Sequence, residues 1–256
     1  MTTESQRPRP LKVDEVRRLL QAIDESPETV IPIHLLRRGT CRTYAAGDAA
    51  ALDAVVVQAD HMPEELFGLG TSAQGIWDLL RVLDGWTCVE VAPVVAPALG
   101  ALMSEDTGKR VRYYEGIYHT LTKPAPVFED PAVRQLTIRD AGLLAAYGLH
   151  GGDFGSLPRL LLEGVVAGAV VDGQVVGTAH TSAVTDRYSD IGVDTHEAWR
   201  GRGFATAAAS IVARRVQEQG RIPVWSCGED NVASLRVARK LGFEEVSRLT
   251  YLIKAA

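Results

Sequence analysis

Residues 188–220 read YSDIGVDTHEAWRGRGFATAAASIVARRVQEQG. Apolar residues alternate at Ile191 and Val193, as in a strand, and from Phe204 onward they recur near the 3.6-residue period of an amphipathic helix. The stretch therefore predicts a strand, a loop and a helix. Two glycines within residues 200–205 allow a ligand to approach the backbone closely. Because the first N–H groups of a helix lack internal partners and lie at the positive end of its dipole, this junction favours a phosphate or diphosphate.

The loop differs from two common phosphate-binding patterns. The chain contains no G-x-x-x-x-G-K-[ST] sequence of a Walker loop. Gly201 and Gly203 supply two of the three glycines of a dinucleotide fingerprint, but Thr206 stands at the third position. Residues 194–199 also separate the strand from the glycines. A dinucleotide-binding oxidoreductase is therefore kept only as an alternative interpretation.

The order R-x-x-G-x-A at residues 200–205 resembles the coenzyme A signature of the GCN5-related N-acetyltransferase (GNAT) superfamily. Downstream, residues 221–227 form a predicted strand with a Pro-x-Trp-x-Cys pattern, and a predicted helix starts at Asn231 and ends in Lys-Leu-Gly-Phe at 240–243. This segment resembles the second signature of the superfamily, especially in bacterial acetyltransferases that carry such a strand. The resemblance covers about residues 133–253. It implies an α/β fold with a mixed sheet and a GNAT acyltransferase domain in the carboxyl-terminal half.

The resemblance also implies acetyl-CoA as the cofactor. The loop and the start of the helix would hold its diphosphate, the central strand would pair with its pantetheine arm, and the second signature would approach the arm and the thioester. Other interpretations stay open. The loop is also typical of an ordinary glycine turn, and core packing explains Ile191 and Val193 equally well. Asn231 is also typical of a residue that only caps a helix. The residues implied to contact acetyl-CoA are Ile191, Gly192, Val193, Arg200, Gly201, Arg202, Gly203, Phe204, Ala205, Thr206, Asn231 and Ser234.

Asp190 and Ser234 are the candidate catalytic residues. Asp190 falls near a position where relatives carry a glutamate that acts as general base through water, although a solvated carboxylate at a strand end is the alternative reading. His180 on the preceding strand is a second candidate base, and water a third. Ala238 stands where many relatives place a tyrosine that protonates the departing thiolate, so Ser234 or water would replace it.

Three other motifs carry weaker signals. Cys227 ends the predicted strand before Asn231, but no His–Asp pair accompanies it, so a small packed residue is a better reading than a nucleophile. Residues 150–152, His-Gly-Gly, resemble the oxyanion loop of esterases, yet no G-x-S-x-G elbow is present. Glu197 and Glu229 are loop carboxylates with still weaker claims to act as the general base. These motifs do not support a hydrolase or a covalent acetyl-enzyme.

Composition limits the classes of partner. The net charge of −5 disfavours non-specific binding to nucleic acid or to an anionic membrane. No apolar run of about 20 residues predicts a membrane span, and the polar, proline-containing first ten residues do not suit a signal peptide. Three widely spaced cysteines indicate neither disulfides nor a zinc site. We therefore expect a cytoplasmic protein without a metal.

The amino-terminal half shows an order of predicted elements similar to that of the other half. After a helix at 12–24, the patterns predict strand, helix, strand, helix and an aromatic strand up to residue 121, without a glycine loop. Three prolines within residues 122–132 indicate a linker. We therefore predict a smaller α+β domain at 1–121 and the GNAT domain at 133–256. The first domain is interpreted either as a degenerate GNAT-like copy or as an unrelated α+β extension.

Together these patterns predict an acetyl-CoA-dependent N-acetyltransferase. The acceptor would be the primary amine of a small molecule or an amino-acid-like compound, attacking the thioester directly in a ternary complex. A non-catalytic acyl-CoA sensor is the main alternative, motivated by Ala238. Neither the identity of the acceptor nor the oligomeric state follows from the sequence.

Overall fold

The structure, a computed structural model, describes residues 8–254. Two compact units make up the described chain. The first contains residues 8–24, 35–116 and 248–254, and the second contains residues 25–34 and 117–247. The domain boundaries predicted at 121 and 133 stay a prediction, because the two units are defined only by which residues contact one another. No helix of the described residues is long and apolar enough to cross a lipid bilayer.

Helices and strands are interspersed along the chain, which confirms the predicted α/β class. From residue 133 onward the observed order is the predicted β-α-α-β-β-β-α-β-α-β. The helices are α1 Val13–Ala22, α2 Val30–Arg38, α3 Ala73–Leu80, α4 Ala96–Thr107, α5 Ala141–Tyr147, α6 Leu157–Glu163, α7 Phe204–Glu218 and α8 Val232–Leu241. The strands are β1 Cys41–Ala45, β2 Val55–Ala59, β3 Glu65–Leu69, β4 Cys88–Val91, β5 Arg112–Thr120, β6 Val133–Leu136, β7 Val166–Val171, β8 Gln174–Val184, β9 Tyr188–Thr195, β10 Ile222–Gly228 and β11 Glu244–Ile253.

The strands of the first unit lie in the order β1-β2-β3-β4-β11. β1, β2 and β3 pair antiparallel, β4 runs parallel to β3, and β11 runs antiparallel to β4. The helices α3 and α4 pack on this sheet around fully buried Ile76, Leu80 and Leu99. Gly68 allows the packing on β3, because a Cβ there would lie 2.7 Å from Val91 Cγ1.

The second unit has the strand order β5-β10-β9-β8-β7-β6. β6 to β9 pair antiparallel, whereas β10 runs parallel to β9. Asp172 and Gly173 connect β7 to β8 with φ of 50° and 76°, the left-handed pair that a type I′ hairpin requires. The alanines Ala208, Ala209 and Ala213 of α7 are fully buried, so their small side chains bring the helix close to the sheet. This packing fixes the start of α7 relative to β9.

The two units share an order of elements and pairings. In each, three antiparallel strands lead through a helix to a strand parallel to the third one, and a further helix follows: β1-β2-β3-α3-β4-α4 and β7-β8-β9-α7-β10-α8. This correspondence supports a degenerate second copy over an unrelated extension. The start of α3 is nevertheless different, because Ser72 Oγ accepts the N–H of Gly75 at 3.1 Å and caps the helix.

The turn before α5 offers a test of stability. The buried carboxylate of Asp140 accepts hydrogen bonds from Arg134 Nη2 at 2.6 Å and from Thr137 N at 2.8 Å, and Arg134 lowers its pKa to about 2. We expect Asp140→Ala to lower the free energy of unfolding by about 2 kcal/mol at pH 7. Because the folded pKa lies below its ordinary value, the contribution is complete above about pH 4 and is lost as the pH falls toward 2.

Urea denaturation of the wild type and the variant at pH 7 and pH 3 measures this contribution. Asp14→Ala is the matched control, since Asp14 forms a 2.9 Å ion pair with Arg17 in which both side chains are strongly exposed. Such a surface pair contributes little, about 0.5 kcal/mol or less. Equal losses in the two variants at pH 7 would contradict the assignment to burial and hydrogen bonding.

Candidate active site

The parallel strands β9 and β10 separate partway along their length. Their Cα register runs from Tyr188 opposite Ile222 to Asp190 opposite Val224, and it ends there although both strands continue. On its other side β9 stays paired with β8 through Thr195. Among residues 8–254, therefore, Ile191, Gly192 and Val193 have no Cα partners on β10. The backbone groups of β9 that face this gap are free to pair with an extended ligand.

The glycine loop meets the start of α7 in a left-handed conformation. Gly201 and Gly203 have φ of 78° and 90°, and a Cβ built on either would find no atom within 4 Å. Gly203 is the N-cap residue, and no side chain of the described residues caps the helix. Intrahelical bonding starts where Ala207 N–H donates to Gly203 O at 3.0 Å. The N–H groups of the first turn therefore face open space, where an anion fits.

Contacts within the loop hold its two arginines. Arg200 Nε donates to the carbonyl oxygen of Thr195 at 3.1 Å. The guanidinium carbon of Arg202 lies 4.4 Å from the ring centroid of Trp199, which in turn packs on Phe204 with a centroid distance of 6.2 Å. Both positive charges thus stay beside the start of α7. They add to the positive potential of the helix terminus.

The start of α8 joins the other two candidate residues. Asn231 Oδ1 accepts the N–H of Ser234 at 3.1 Å, so Asn231 does cap the helix. Ser234 Oγ accepts a hydrogen bond from the indole Nε1 of Trp225 at 2.9 Å. Because Trp225 is fully buried, this bond fixes the position of the hydroxyl. The roles of both residues toward acetyl-CoA stay predictions.

Asp190 is buried, so its reading as a solvated strand-end carboxylate is wrong. It is only 4% exposed, and its carboxylate accepts hydrogen bonds from the hydroxyls of Ser182 and Ser226. The register of β8 shifts between Thr181 and Ala183, which gives Ser182 its place opposite Asp190. Burial raises the pKa of Asp190 to about 6, and the two hydroxyls oppose that rise. A carboxylate with this pKa is mostly ionised at pH 7 and able to accept a proton.

Asp153 is a second buried carboxyl group that sequence reasoning missed. It is 8% exposed, and burial raises its pKa to about 7. Its charge also raises the pKa of Asp190, although burial is the larger cause. A tight turn presents Asp153: Gly151 has φ of 99°, and a Cβ there would lie 2.2 Å from the carbonyl carbon of Ser156. The His-Gly-Gly sequence before Asp153 was the available signal, although it suggested an oxyanion loop instead.

The other titratable candidates are weaker bases. The ring of His180 lies against Gly192, where a Cβ would be 3.4 Å from its Nε2, and burial lowers its pKa to about 4. His180 is therefore neutral at pH 7 and a poorer proton acceptor than Asp190. Burial also raises the pKa of the Cys227 thiol, which disfavours the thiolate that a nucleophile needs.

Comparison with known proteins identifies the family of the carboxyl-terminal half. Residues 150–252 match the family model described as GNAT acetyltransferase. The carboxyl-terminal half is a GNAT domain. The match includes the glycine loop, the gap between β9 and β10, and the start of α8, which confirms the predicted family and fold. A comparison with curated proteins found no match.

Solved structures resemble the whole chain, beyond the GNAT domain. A GCN5-related N-acetyltransferase-like protein from Streptococcus suis aligns with a TM-score of 0.69 and 22% identity over 94% of this chain and 99% of its own. A GCN5-related N-acetyltransferase from Kribbella flavida gives 0.62 and 18% over 96% of each chain. A tandem GNAT protein from the clavulanic acid biosynthesis pathway gives 0.58 and 16% over 96% and 97%. This likeness of fold agrees with the repeated order of elements in the two units.

Within the GNAT domain, Ala238 is fully buried in the core beside α7. The chain therefore has no tyrosine hydroxyl at the position where the sequence resemblance implies one. Ser234 lies one turn earlier on the same helix and carries the nearest hydroxyl in the helix sequence. This departure bears on how a leaving thiolate is protonated.

Proposed function

We propose that the chain is an acetyl-CoA-dependent N-acetyltransferase that modifies the primary amine of a small-molecule or amino-acid-like acceptor. The gap between β9 and β10, which opens after Asp190, is the observation that carries the proposal. An open strand edge, an uncapped helix start and a buried carboxylate meet in this part of the second unit. A thioester carrier with an extended amide-containing arm and a diphosphate matches the first two features.

The chain offers separate groups to each part of such a ligand. The first-turn N–H groups of α7 and the arginines Arg200 and Arg202 suit the diphosphate, and the open edge of β9 at residues 191–193 suits the pantetheine arm. Bound acetyl-CoA would supply the activated acetyl group. Backbone N–H groups of β9 facing the gap would donate hydrogen bonds to the carbonyl oxygen as negative charge develops on it. Most of the rate enhancement would come from holding the amine beside that carbonyl.

Asp190 accepts the proton in this mechanism. An amine with a pKa near 10.4 arrives protonated and attacks only after losing its proton. A carboxylate with a pKa of about 6 accepts that proton, directly or through water, and remains mostly ionised at neutral pH. Ser234 Oγ would donate a hydrogen bond to the departing thiolate, which is a tolerable leaving group because its pKa is about 8.5, and water would then give the thiolate its proton.

One observation favours a second function. Buried Ala238 removes the usual acid, which would suit a non-catalytic acyl-CoA sensor. Calorimetry with acetyl-CoA, followed by a thiol-release assay against a panel of primary amines, separates the two functions. We expect micromolar binding and amine-dependent release of coenzyme A. Binding without release for any amine would favour the sensor, and binding of NADH in place of acetyl-CoA would favour the dinucleotide-binding alternative.

A further inference from the structure

The first unit contains a cavity of about 310 Å³. Its walls come from the ends of α3 and α4, the segments before β4 and β5, and Lys254 after β11, all of which belong to that unit. This volume lies at the lower end of the range for small-molecule sites. None of the residues predicted to bind acetyl-CoA or to act in catalysis lines the cavity. It therefore needs an explanation of its own.

One side of the cavity is apolar and includes two tryptophan side chains. Trp77 and Trp86 are only 5% and 3% exposed, and Trp86 Nε1 donates to the carbonyl oxygen of Leu80 at 2.9 Å. This bond fixes the indole in one orientation. Fully buried Met103 adds a polarisable thioether, which packs well on aromatic rings. A wall of this kind suits the face of a planar apolar group.

The rim of the cavity is mainly basic. Four basic side chains line it against one carboxylate, Asp106. Arg81 is partly neutralised, because its Nη2 lies 3.1 Å from Asp78 Oδ1. A negatively charged group is therefore favoured over a positive one. The remaining basic residues of the lining are Lys109, Arg110 and Lys254.

Lys254 marks the position of the anionic end. Its ammonium nitrogen lies over the indole ring of Trp86, 3.4 Å from the ring centroid, and so covers one face of that ring. Burial lowers the pKa of this amine, while the charge of Asp84 acts in the opposite direction. A carboxylate placed next to Lys254 would offset the cost of keeping the ammonium partly away from water.

We infer that this cavity binds a small carboxylic acid with a flat apolar body. The body lies against Trp77 and Met103, and the carboxylate points to Arg110 and to Lys254 over the Trp86 ring. Binding needs both parts of the ligand, because the apolar wall contacts the body and the basic rim at the edge of that wall contacts the carboxylate. The site is separate from the proposed acetyl transfer, since only residues of the first unit form it.

Calorimetry on the full chain with 2-naphthoate as the probe tests the inference. Uncharged 2-naphthylmethanol and cationic 2-naphthylmethylamine keep the same ring and change only the charge. We expect one molecule of 2-naphthoate to bind per chain, the alcohol to bind about tenfold more weakly, and the amine more weakly still. In NMR spectra of nitrogen-15-labelled protein, 2-naphthoate should shift the indole N–H resonance of Trp86 and leave that of Trp225 unchanged. No binding, or equal affinity for the acid and the alcohol, would overturn the inference.

Two variants locate the carboxylate. Lys254→Gln should weaken 2-naphthoate about tenfold, and Arg110→Gln, at an exposed position, should weaken it about threefold. Lys240→Gln is the matched control, because the Lys240 amine also lies over an aromatic ring, 5.0 Å from the centroid of Phe128, in the second unit. It should leave the affinity unchanged. Wild-type affinity in both Lys254→Gln and Arg110→Gln would rule out this orientation, and Arg110→Gln keeps the test informative if Lys254→Gln fails to fold.

Discussion

Gly203→Glu is expected to weaken acetyl-CoA binding about a hundredfold or more while the chain stays folded. A glutamate at the N-cap position would put a carboxylate beside the first-turn N–H groups of α7, where the diphosphate is proposed to lie. The new carboxylate would accept those hydrogen bonds itself and repel the ligand. The space around Gly203 is open, so the side chain meets no neighbouring atom, and the steric cost is limited to the left-handed backbone at φ of 90°. Calorimetry with acetyl-CoA measures the loss, and circular dichroism checks the fold.

The same helix provides the control for this variant. Gly220, just after α7, has φ of 76° against 90° for Gly203, and a Cβ at either position meets no atom within 4 Å. Gly220→Glu therefore carries a similar backbone penalty, about 1–2 kcal/mol, and the same added charge at the opposite end of the helix. It should bind acetyl-CoA like the wild type. Equal affinities of Gly203→Glu, Gly220→Glu and the wild type would disprove the diphosphate site.

The sequence predicts the second unit well because its signals are local. The glycines at 201 and 203, the Asp172-Gly173 turn and the Asn231 cap each act within a few residues, and each appears where its pattern predicts. The period of apolar residues separates the helices from the strands in the same way. The signature at 200–205 indicates the family, and the fold of that family predicts the order of the elements.

The elements that sequence reasoning missed have weak local patterns. β1 reads CRTYA, with an exposed arginine beside buried threonine and tyrosine, and β3 reads ELFGL with a glycine at its fourth position. Both become strands through pairing with β2, whose residues are all buried. α2 begins directly after a short 3₁₀ turn and contains a proline, so the sequence shows neither a clear helix start nor an uninterrupted helical pattern. These segments take their secondary structure from pairing and packing with distant parts of the chain, and a single sequence does not show which segments pair.

The state of the candidate site also depends on contacts distant in sequence. Asp190 looks solvated in the sequence because it stands at a strand end, but Ser182, Ser226 and the turn that carries Asp153 surround it in the fold. Burial and the pKa that follows from it are properties of this arrangement. The sequence therefore suggests which residue is the base, whereas its protonation behaviour follows only from the structure.

Asp190→Asn is expected to lower the rate of acetyl transfer about a hundredfold or more and, at the same time, to stabilise the protein above pH 7. The asparagine keeps the shape of the side chain, and its Oδ1 accepts from one of the hydroxyls of Ser182 and Ser226 while its Nδ2 donates to the other. It does not take a proton from the amine. The wild-type rate should rise with pH around a midpoint of about 6, the pKa of Asp190. Steady-state rates between pH 5 and pH 9 measure the loss of rate in the variant and the midpoint of the wild-type profile.

The gain in stability follows from the direction of the pKa shift. Because burial raises the pKa of Asp190 from 3.8 to about 6, the native state is favoured while the group is protonated, and this advantage is lost as the pH rises through about 6. At pH 8 the buried charge costs about 3 kcal/mol. Asp190→Asn removes that cost, so its free energy of unfolding should exceed that of the wild type at pH 8 and approach it at pH 4.

Asp153→Asn distinguishes the proton acceptor from its neighbour. Removing the charge of Asp153 should lower the pKa of Asp190 slightly, because that charge raises it but is only partly present near pH 6, below the Asp153 pKa of about 7. The midpoint of the pH–rate profile should therefore move to lower pH while the maximal rate stays within about tenfold of the wild type. Asp190→Asn, in contrast, should lose activity at every pH. A wild-type rate in Asp190→Asn would exclude Asp190 as the base, and neutral His180, with its pKa of about 4, would then have to be tested next.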